Sequence, residues 1–585
     1  MHRSVWILAG IGAVVMLFAA SATATTKASG TARGATLAAA PFAQSWANVP
    51  RTTAARKAKS VLVFGMEQDV TGFNVLDANE NELWADITGI QPTMRGAYII
   101  DNNGNYHLDL ASAVAVTKTS LTITIRPNAY WYWGGKKLPV TNQDLVYTWK
   151  QLIDPKNQVS SNTGYINIGS VKLKGTKTAV FTWNTSCPSG TVAAGTCAVG
   201  PFADYRDLFG TVLPSAALAG QDFNSFWANC VCGNDGKPVS DGPFYVSNYT
   251  KGQGLTLLAN PDWYGKKPGL KEVDFKIITD TNSEIQAMRG GEVDAIYPSP
   301  QTALSELKSQ AGLVYSSIPG FTQEHWDINT GAPGNPLLKN PWMRQAIALG
   351  IDRHSLIVAL YGQIAPGLQP LNNLEYEIGT NATPSFAKWN FAPKKAIALL
   401  KAHCTGGPSV PTRNNTAYWT CGGAKASFNF YTTAGNQRRE TSAAIFSQQL
   451  AAVGIQLNVT FQPASDFFGT RLPAHDFDIA EYAWSGGPDP SGFDSIYQCG
   501  GGSNYKQYCN AKVDALIKLG DSDLNPTTRT ADYENAAALM ATDVPVIPLY
   551  SPPNILVHKS TVLGMQDSNN PTSEGPTWNV EQWHW

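Results

Sequence analysis

The sequence predicts an α/β fold with more than one lobe, and three observations carry that expectation. With 585 residues the chain is far longer than one ordinary hydrophobic core supports. Phe446, Leu450 and Val453 fall at i, i+4 and i+7 of a helix face, Gly454 stops it, and Ile455, Leu457, Val459 and Phe461 then alternate as a strand. Helix, glycine and strand in that order are the grammar of α/β structure. Strands also open the folded part: Val61-Leu62-Val63-Phe64-Gly65 reads as a short buried strand, and residues 121–125 alternate Leu, Thr, Ile, Thr, Ile with one buried face.

Before the first strand lies a different kind of sequence. Arg3 gives a basic start, residues 5–20 are apolar or glycine without a charge, and Ala22-Thr23-Ala24 has the small-x-small spacing of a signal-peptidase site. The run is shorter than the roughly 20 residues of a spanning helix. It predicts an exported chain with a signal peptide at 1–24, an uncleaved anchor being the alternative. The first cysteine is Cys187, so no lipid-attachment cysteine follows the apolar run. Residues 25–58, rich in Ala, Thr, Ser and Lys, are expected to form a disordered spacer.

Further elements follow in order. Thr141 caps a helix over about 142–152 that Pro155 stops. A short helix is expected at 284–288 before Gly290-Gly291, another at 340–349, and Asp352 caps the next. The eight cysteines of an exported chain read as disulfides. Cys404 with Cys421 and Cys499 with Cys509 are the natural local pairs. Cys230 and Cys232 are read as too close for an easy bridge, and Cys187 and Cys197 pair with each other or with those two.

Function classes can be excluded by charge and motif. Lys+Arg 43 against Asp+Glu 44 gives a net charge of -1, without the basic footprint of a nucleic-acid binder. No zincin, phosphate-loop or nucleophile-elbow motif occurs. The eight histidines are scattered, with none at metal spacing, so neither an enzyme, a metal nor a cofactor is expected. What stands out is Trp484-Ser485-Gly486-Gly487-Pro488-Asp489-Pro490, which follows an apolar strand and breaks abruptly. A Trp at a strand end with Gly amides behind it can stack on a solute and donate hydrogen bonds to it; a packed Trp before an ordinary turn is the alternative.

Four segments in order resemble the family 5 extracellular solute-binding proteins, the oligopeptide- and dipeptide-binding components of ABC importers. The first, 108–149, carries Trp133-Gly134-Gly135, Pro139, Thr141 and Asp144. The second carries Asp241-Gly242-Pro243-Phe244-Tyr245, Asn260-Pro261-Asp262-Trp263-Tyr264 and Gly291-Glu292-Val293-Asp294. The third carries Asp327-Ile328-Asn329-Thr330, Arg344-Gln345-Ala346 and Ile351-Asp352-Arg353. The fourth runs from Gly454-Ile455 through Trp484 and Asp489-Pro490 to Ile547-Pro548-Leu549.

The resemblance implies a type II periplasmic-binding-protein-like fold: two lobes with a hinge, plus an extra inserted domain. Its boundaries are expected at 59–100, 238–316 and 548–585 for lobe I, 101–237 for the inserted domain and 317–547 for lobe II. It implies a monomer in the periplasm, cell envelope or extracellular space. Hinge closure captures a small solute, with an oligopeptide first among the candidates, for the permease subunits of an ABC importer. Glu67, Gln68 and Asp69 lie where the family presents polar groups to the cleft, a simple turn being the alternative. With Trp484, Ser485, Gly486, Gly487 and Asp489 they are the candidate ligand contacts. Peptide binders of the family place an Asp shortly after the Trp, to pair with the peptide amino terminus. Here Ser485-Gly486-Gly487-Pro488 stands in its place and Asp489 is the substitute at hand. Oligosaccharides, modified peptides and lipid head groups therefore stay beside oligopeptides as solutes. An envelope interaction or regulatory protein with the same fold is the reading from another class.

Overall fold

The computed structural model describes residues 60–191, 196–374, 383–463, 466–484, 487–490 and 492–585. The expected leader and spacer, and Ser485 and Gly486, lie outside the described residues. Two mixed sheets organise the chain. The strands of the first are β1 (Val61–Met66), β2 (Phe244–Thr250), β3 (Gly254–Ala259), β4 (Glu272–Ile277), β5 (Ala295–Ile296), β6 (Leu313–Pro319) and, from the far end of the chain, β12 (Pro553–Lys559). Those of the second are β7 (Gln323–Ile328), β8 (Ser427–Thr433), β9 (Gln456–Gln462), β10 (Ile479–Trp484) and β11 (Val546–Tyr550). The spatial orders are β2-β3-β4-β1-β5-β12-β6 and β9-β8-β10-β7-β11. A further four-stranded antiparallel sheet is built from residues 111–183.

The chain passes between the two large sheets twice. It leaves β6 at Pro319 and enters β7 at Gln323, then leaves β11 at Tyr550 and enters β12 at Pro553. Each sheet pins its crossing strand by pairing. β6 runs antiparallel to β12 from Leu313 to Pro319, and β7 lies between β10 and β11 with all six residues buried. A strand buried on both faces reads as a continuous buried run rather than an alternation. That explains why Gln323, Glu324, His325 and Asp327, all interior, carry no period-2 signal.

Local signals place most expected elements. Thr141 caps the helix Asn142–Ile153 by accepting from the Gln143 amide, while Asp144 accepts the Thr141 amide at 2.7 Å, a reciprocal capping box. Asp280 and Asp352 cap Thr281–Arg289 and Arg353–Tyr361. The helix Gln437–Ala452 ends at Gly454 with φ +85°, where a Cβ would press on Pro408 and Trp419. β9, which follows, is the expected strand; it lies at the edge of its sheet, and Phe461 is exposed.

The cysteines form four bridges: Cys187–Cys197, Cys230–Cys232, Cys404–Cys421 and Cys499–Cys509. The Cys230–Cys232 bridge corrects the expectation that those two are too close. Their Cα atoms are 5.3 Å apart, within the span a disulfide bridges, with the backbone bent at Val231 between them.

Candidate ligand-binding cleft

Strand direction locates the cleft. β1, β4 and β5 are parallel, and β6 shares their direction because both β5 and β6 pair antiparallel with β12. β8, β9 and β10 are parallel, and β11 joins them because both β10 and β11 pair antiparallel with β7. The carboxyl ends of the first set, Met66, Ile277, Ile296 and Pro319, therefore lie on the edge where β6 leaves. The carboxyl ends of the second set, Thr433, Gln462, Trp484 and Tyr550, lie on the edge where β7 begins. The two crossings join these edges, so the carboxyl edges of both sheets face each other across the hinge. Loops beyond the carboxyl ends of parallel strands are where α/β folds bind solutes.

The expected contact residues fall on these two edges rather than in one cluster. On the first, Glu67 follows the last residue of β1 and accepts from the Ser299 amide at 2.9 Å and its hydroxyl at 2.6 Å. Burial raises its pKa against those two hydrogen bonds. Gln68 donates to Glu82 at 2.8 Å and is exposed. Asp69 accepts from the Tyr249 hydroxyl at 2.9 Å and the Gly252 amide at 2.7 Å. All three are engaged within their own half of the molecule, which fixes the turn.

On the second edge Trp484 ends β10 opposite Gln323. It is 6 % exposed and stacked between two rings, Tyr505 at 6.1 Å and His325 at 6.2 Å, with Tyr482 edge-on at 5.3 Å. Among the described residues its indole N–H has no hydrogen-bond partner. A Cβ on Gly487 would meet open space. Asp489 does not stand open in the turn: both its oxygens accept from the Arg529 guanidinium, and Arg206 lies 3.7 Å away.

Beneath this rim is a buried polar layer that the sequence pattern did not point out. Arg439 forks onto Glu324 at 2.6 and 3.2 Å. Burial pushes Glu324 up, but Arg439 outweighs it and holds the carboxyl below its usual range. Asp327 accepts from the Tyr482 hydroxyl at 2.5 Å and meets Lys506 at 3.3 Å, both charges fully buried. His325 turns Nδ1 to the Gln323 carbonyl at 3.1 Å, and burial keeps its pKa low, so it is neutral. One signal was available for this layer: Asp327 lies in a quoted family segment. Tyr505 and Arg439 belong to no pattern, since only the fold brings them beside the rim.

Glu481, on β10, accepts from the Trp326 indole at 2.8 Å and the Ser442 hydroxyl at 2.8 Å. Burial first, then the neighbouring Glu324, push its pKa up to about 8. A carboxyl raised on folding binds more protons in the folded state. Its stabilisation is whole below the unfolded value near 4.5 and is lost as pH rises through about 8. Glu481→Gln, neutral at every pH, is expected to flatten this decline in urea unfolding curves taken between pH 5 and 9. An unchanged pH slope would show that Glu481 is ionised in the fold.

Comparison with known proteins places this geometry. The family model described as bacterial extracellular solute-binding proteins, family 5 Middle, matches residues 105–506. The oligopeptide-binding protein OppA of Mycobacterium tuberculosis is 27% identical over 511 residues, covering 84% of this chain and 79% of that protein. The oligopeptide-binding protein AppA of Bacillus subtilis is 24% identical, covering 83% and 84%. Among solved structures, the periplasmic EDTA-binding protein EppA superposes with a TM-score of 0.74 at 20% identity, covering 90% of this chain and 96% of that one. Bacillus subtilis AppA in complex with a nonapeptide superposes with a TM-score of 0.64 at 23% identity, covering 90% and 98%. These superpositions place the fold among two-lobed binding proteins.

Proposed function

We propose, starting from the fact that this chain belongs to the family 5 bacterial extracellular solute-binding proteins, that it captures an oligopeptide between the facing carboxyl edges and presents it to an ABC importer. The family consists of binding proteins, and the chain acts without catalysis, as a monomer outside the cytoplasmic membrane, exported by the signal peptide at 1–24. The observation that carries the reading is the pair of facing edges joined by two short crossings. Such a hinge lets the open form admit a solute and the closed form bury it. A ligand favours the closed form by its differential affinity for the two.

Gly487, with Ser485 and Gly486 before it, supplies backbone donors, and Trp484, its ring faces taken by Tyr505 and His325, backs the turn and offers its indole N–H rather than a stacking face. Glu67, Gln68 and Asp69 shape the opposite wall. Asp489 serves as the anchor of the turn, because Arg529 already grips it. Removing Trp484 with alanine is expected to lower affinity by about 1–3 kcal/mol. Titration calorimetry with a pool of tri- to nonapeptides checks this. Unchanged affinity would take Trp484 out of the site.

The engagement of Asp489 also favours a second reading. No free carboxylate is offered by the described part of the turn 484–490 to a ligand ammonium, so a solute without an amino terminus fits as well. EppA, with the same fold, is an EDTA-binding protein. An oligosaccharide or chelate that displaces the peptide pool in the same calorimeter would establish that reading.

A further inference from the structure

One of the four disulfides differs from the rest in what it closes. Cys230–Cys232 spans a single residue, Val231, while the partners of the other three are 10, 17 and 10 positions apart. The stabilisation a bridge draws from restricting the unfolded chain grows with the length of its loop, so this one contributes the least. The hairpin that carries it is held by other means. The Val239 amide donates to the Val231 carbonyl at 3.1 Å, the Gly233 amide to the Lys237 carbonyl at 2.9 Å and the Gly134 amide to the Pro238 carbonyl at 2.9 Å. The Asn234 amide reaches the Ala217 carbonyl at 2.7 Å, and the Trp227 indole donates to the Cys232 carbonyl at 2.9 Å. Val231 itself is buried in the core, and Val239 pairs with Trp133 in a three-stranded sheet. Held in this way, the loop keeps its course with the bridge open.

Access and charge also set this bridge apart. Cys230 and Cys232 are both half-buried, so a small molecule can approach them without the fold opening. Cys404 and Cys421 are buried. Cys197 is buried too, and its Sγ accepts from the Asn184 side-chain amide at 3.4 Å. Cys499–Cys509 is open to solvent at Cys509, but the Cys499 amide donates to the Asp514 carboxylate at 3.1 Å. The attacking group in disulfide exchange is an anionic thiolate, and that carboxylate opposes both its approach and the thiolate that leaves. Around the 230–238 hairpin the balance is the reverse. Lys136 lies over the Trp133 ring at 5.1 Å, and the Trp133 indole donates to Asp235 at 2.7 Å. Lys237 stands 3.8 Å from the same carboxylate. Two ammonium groups thus accompany one carboxylate, and nearby ammonium groups favour thiolates.

We propose that Cys230–Cys232 is a thiol-exchange site, at which the folded protein equilibrates with low-molecular-weight thiols and their disulfides, while the other three bridges are structural. The thiolate of one small thiol attacks a sulfur of the bridge. A mixed disulfide forms, the bridge breaks, and the second cysteine leaves as a thiolate. A second small thiol attacks the small-molecule sulfur of the mixed disulfide and releases the first cysteine. The two thiols are oxidised to one disulfide, the bridge is reduced to two thiols, and the protons of the small thiols end on Cys230 and Cys232. The same steps in reverse, with the small disulfide as oxidant, close the bridge again. This site is independent of solute capture at the hinge.

The experiment uses the full chain, oxidised and folded, in about 5 mM reduced glutathione at about pH 7.5 without denaturant. Samples are quenched in acid over time, free thiols are alkylated, and digestion with mass spectrometry reads every cysteine. Cys230 and Cys232 are expected to become alkylated together, at least about tenfold faster than any of the other six, as glutathione disulfide forms. An excess of glutathione disulfide is expected to close the bridge again. The chain with Cys230→Ser and Cys232→Ser is expected to form no glutathione disulfide over the same period. Should that variant not fold, the map of the parent decides alone. A parent that stays unlabelled, one in which another bridge opens first, or a double variant that still oxidises glutathione overturns the exchange site.

Discussion

Replacing Arg529 with alanine is expected to destabilise the second half of the molecule by about 3–5 kcal/mol, the range for stripping one partner from a buried ion pair. Asp489 is 1 % exposed and Arg529 9 % at the side chain, so the carboxylate left behind has no water to turn to. Arg206, at 3.7 Å and 37 % exposed, is placed to recover only a fraction. Urea unfolding followed by fluorescence measures the loss. Asp489→Asn in the same background is expected to restore part of it, because it removes the stranded charge. A loss under about 1 kcal/mol, the range of a solvated pair, would show that the pair is not desolvated.

A loss of similar size, about 3–5 kcal/mol, is expected for Arg439→Ala. Arg439 makes a two-point contact with Glu324, the second residue of β7 and the first after the crossing to pair on both sides, with Ala483 and Tyr550. Glu324 is 2 % exposed, and its carboxyl is held below its usual range by this guanidinium. A group depressed on folding contributes stability above its unfolded value and loses it as pH falls through the folded value. The difference between parent and variant is therefore expected to be largest near pH 7 and to shrink in acid, where Glu324 can be protonated. Unfolding curves at pH 7 and pH 4 check both size and direction. A difference that grows in acid contradicts the assignment.

Much of this fold is legible in the sequence because its signals are local. The capping box at Thr141 and Asp144 needs only three residues of chain. The stop at Gly454 needs only a left-handed backbone where a side chain would press on Trp419. Strands with one wet face, such as Ser120–Ile125, announce themselves by alternation. The crossing strand β7 does not, since both its faces are buried and its polar residues pair with partners more than a hundred positions away, Glu324 with Arg439 and Trp326 with Glu481. The candidate site divides in the same way. Trp484 at a strand end was visible as an abrupt break after an apolar run. The rings that sandwich it, His325 and Tyr505, and the guanidinium that closes on Asp489 come together only in three dimensions. Asp489 looked available for a ligand because its partner Arg529 is forty positions away, on a helix with no pattern of its own.

The most direct test of solute capture at the hinge is mass spectrometry of the small molecules released when the purified, secreted protein is unfolded. A ladder of short peptides, reduced in the Trp484→Ala variant, is the result predicted here. A cleft that releases nothing after growth in rich medium, or a yield the variant leaves unchanged, would contradict it.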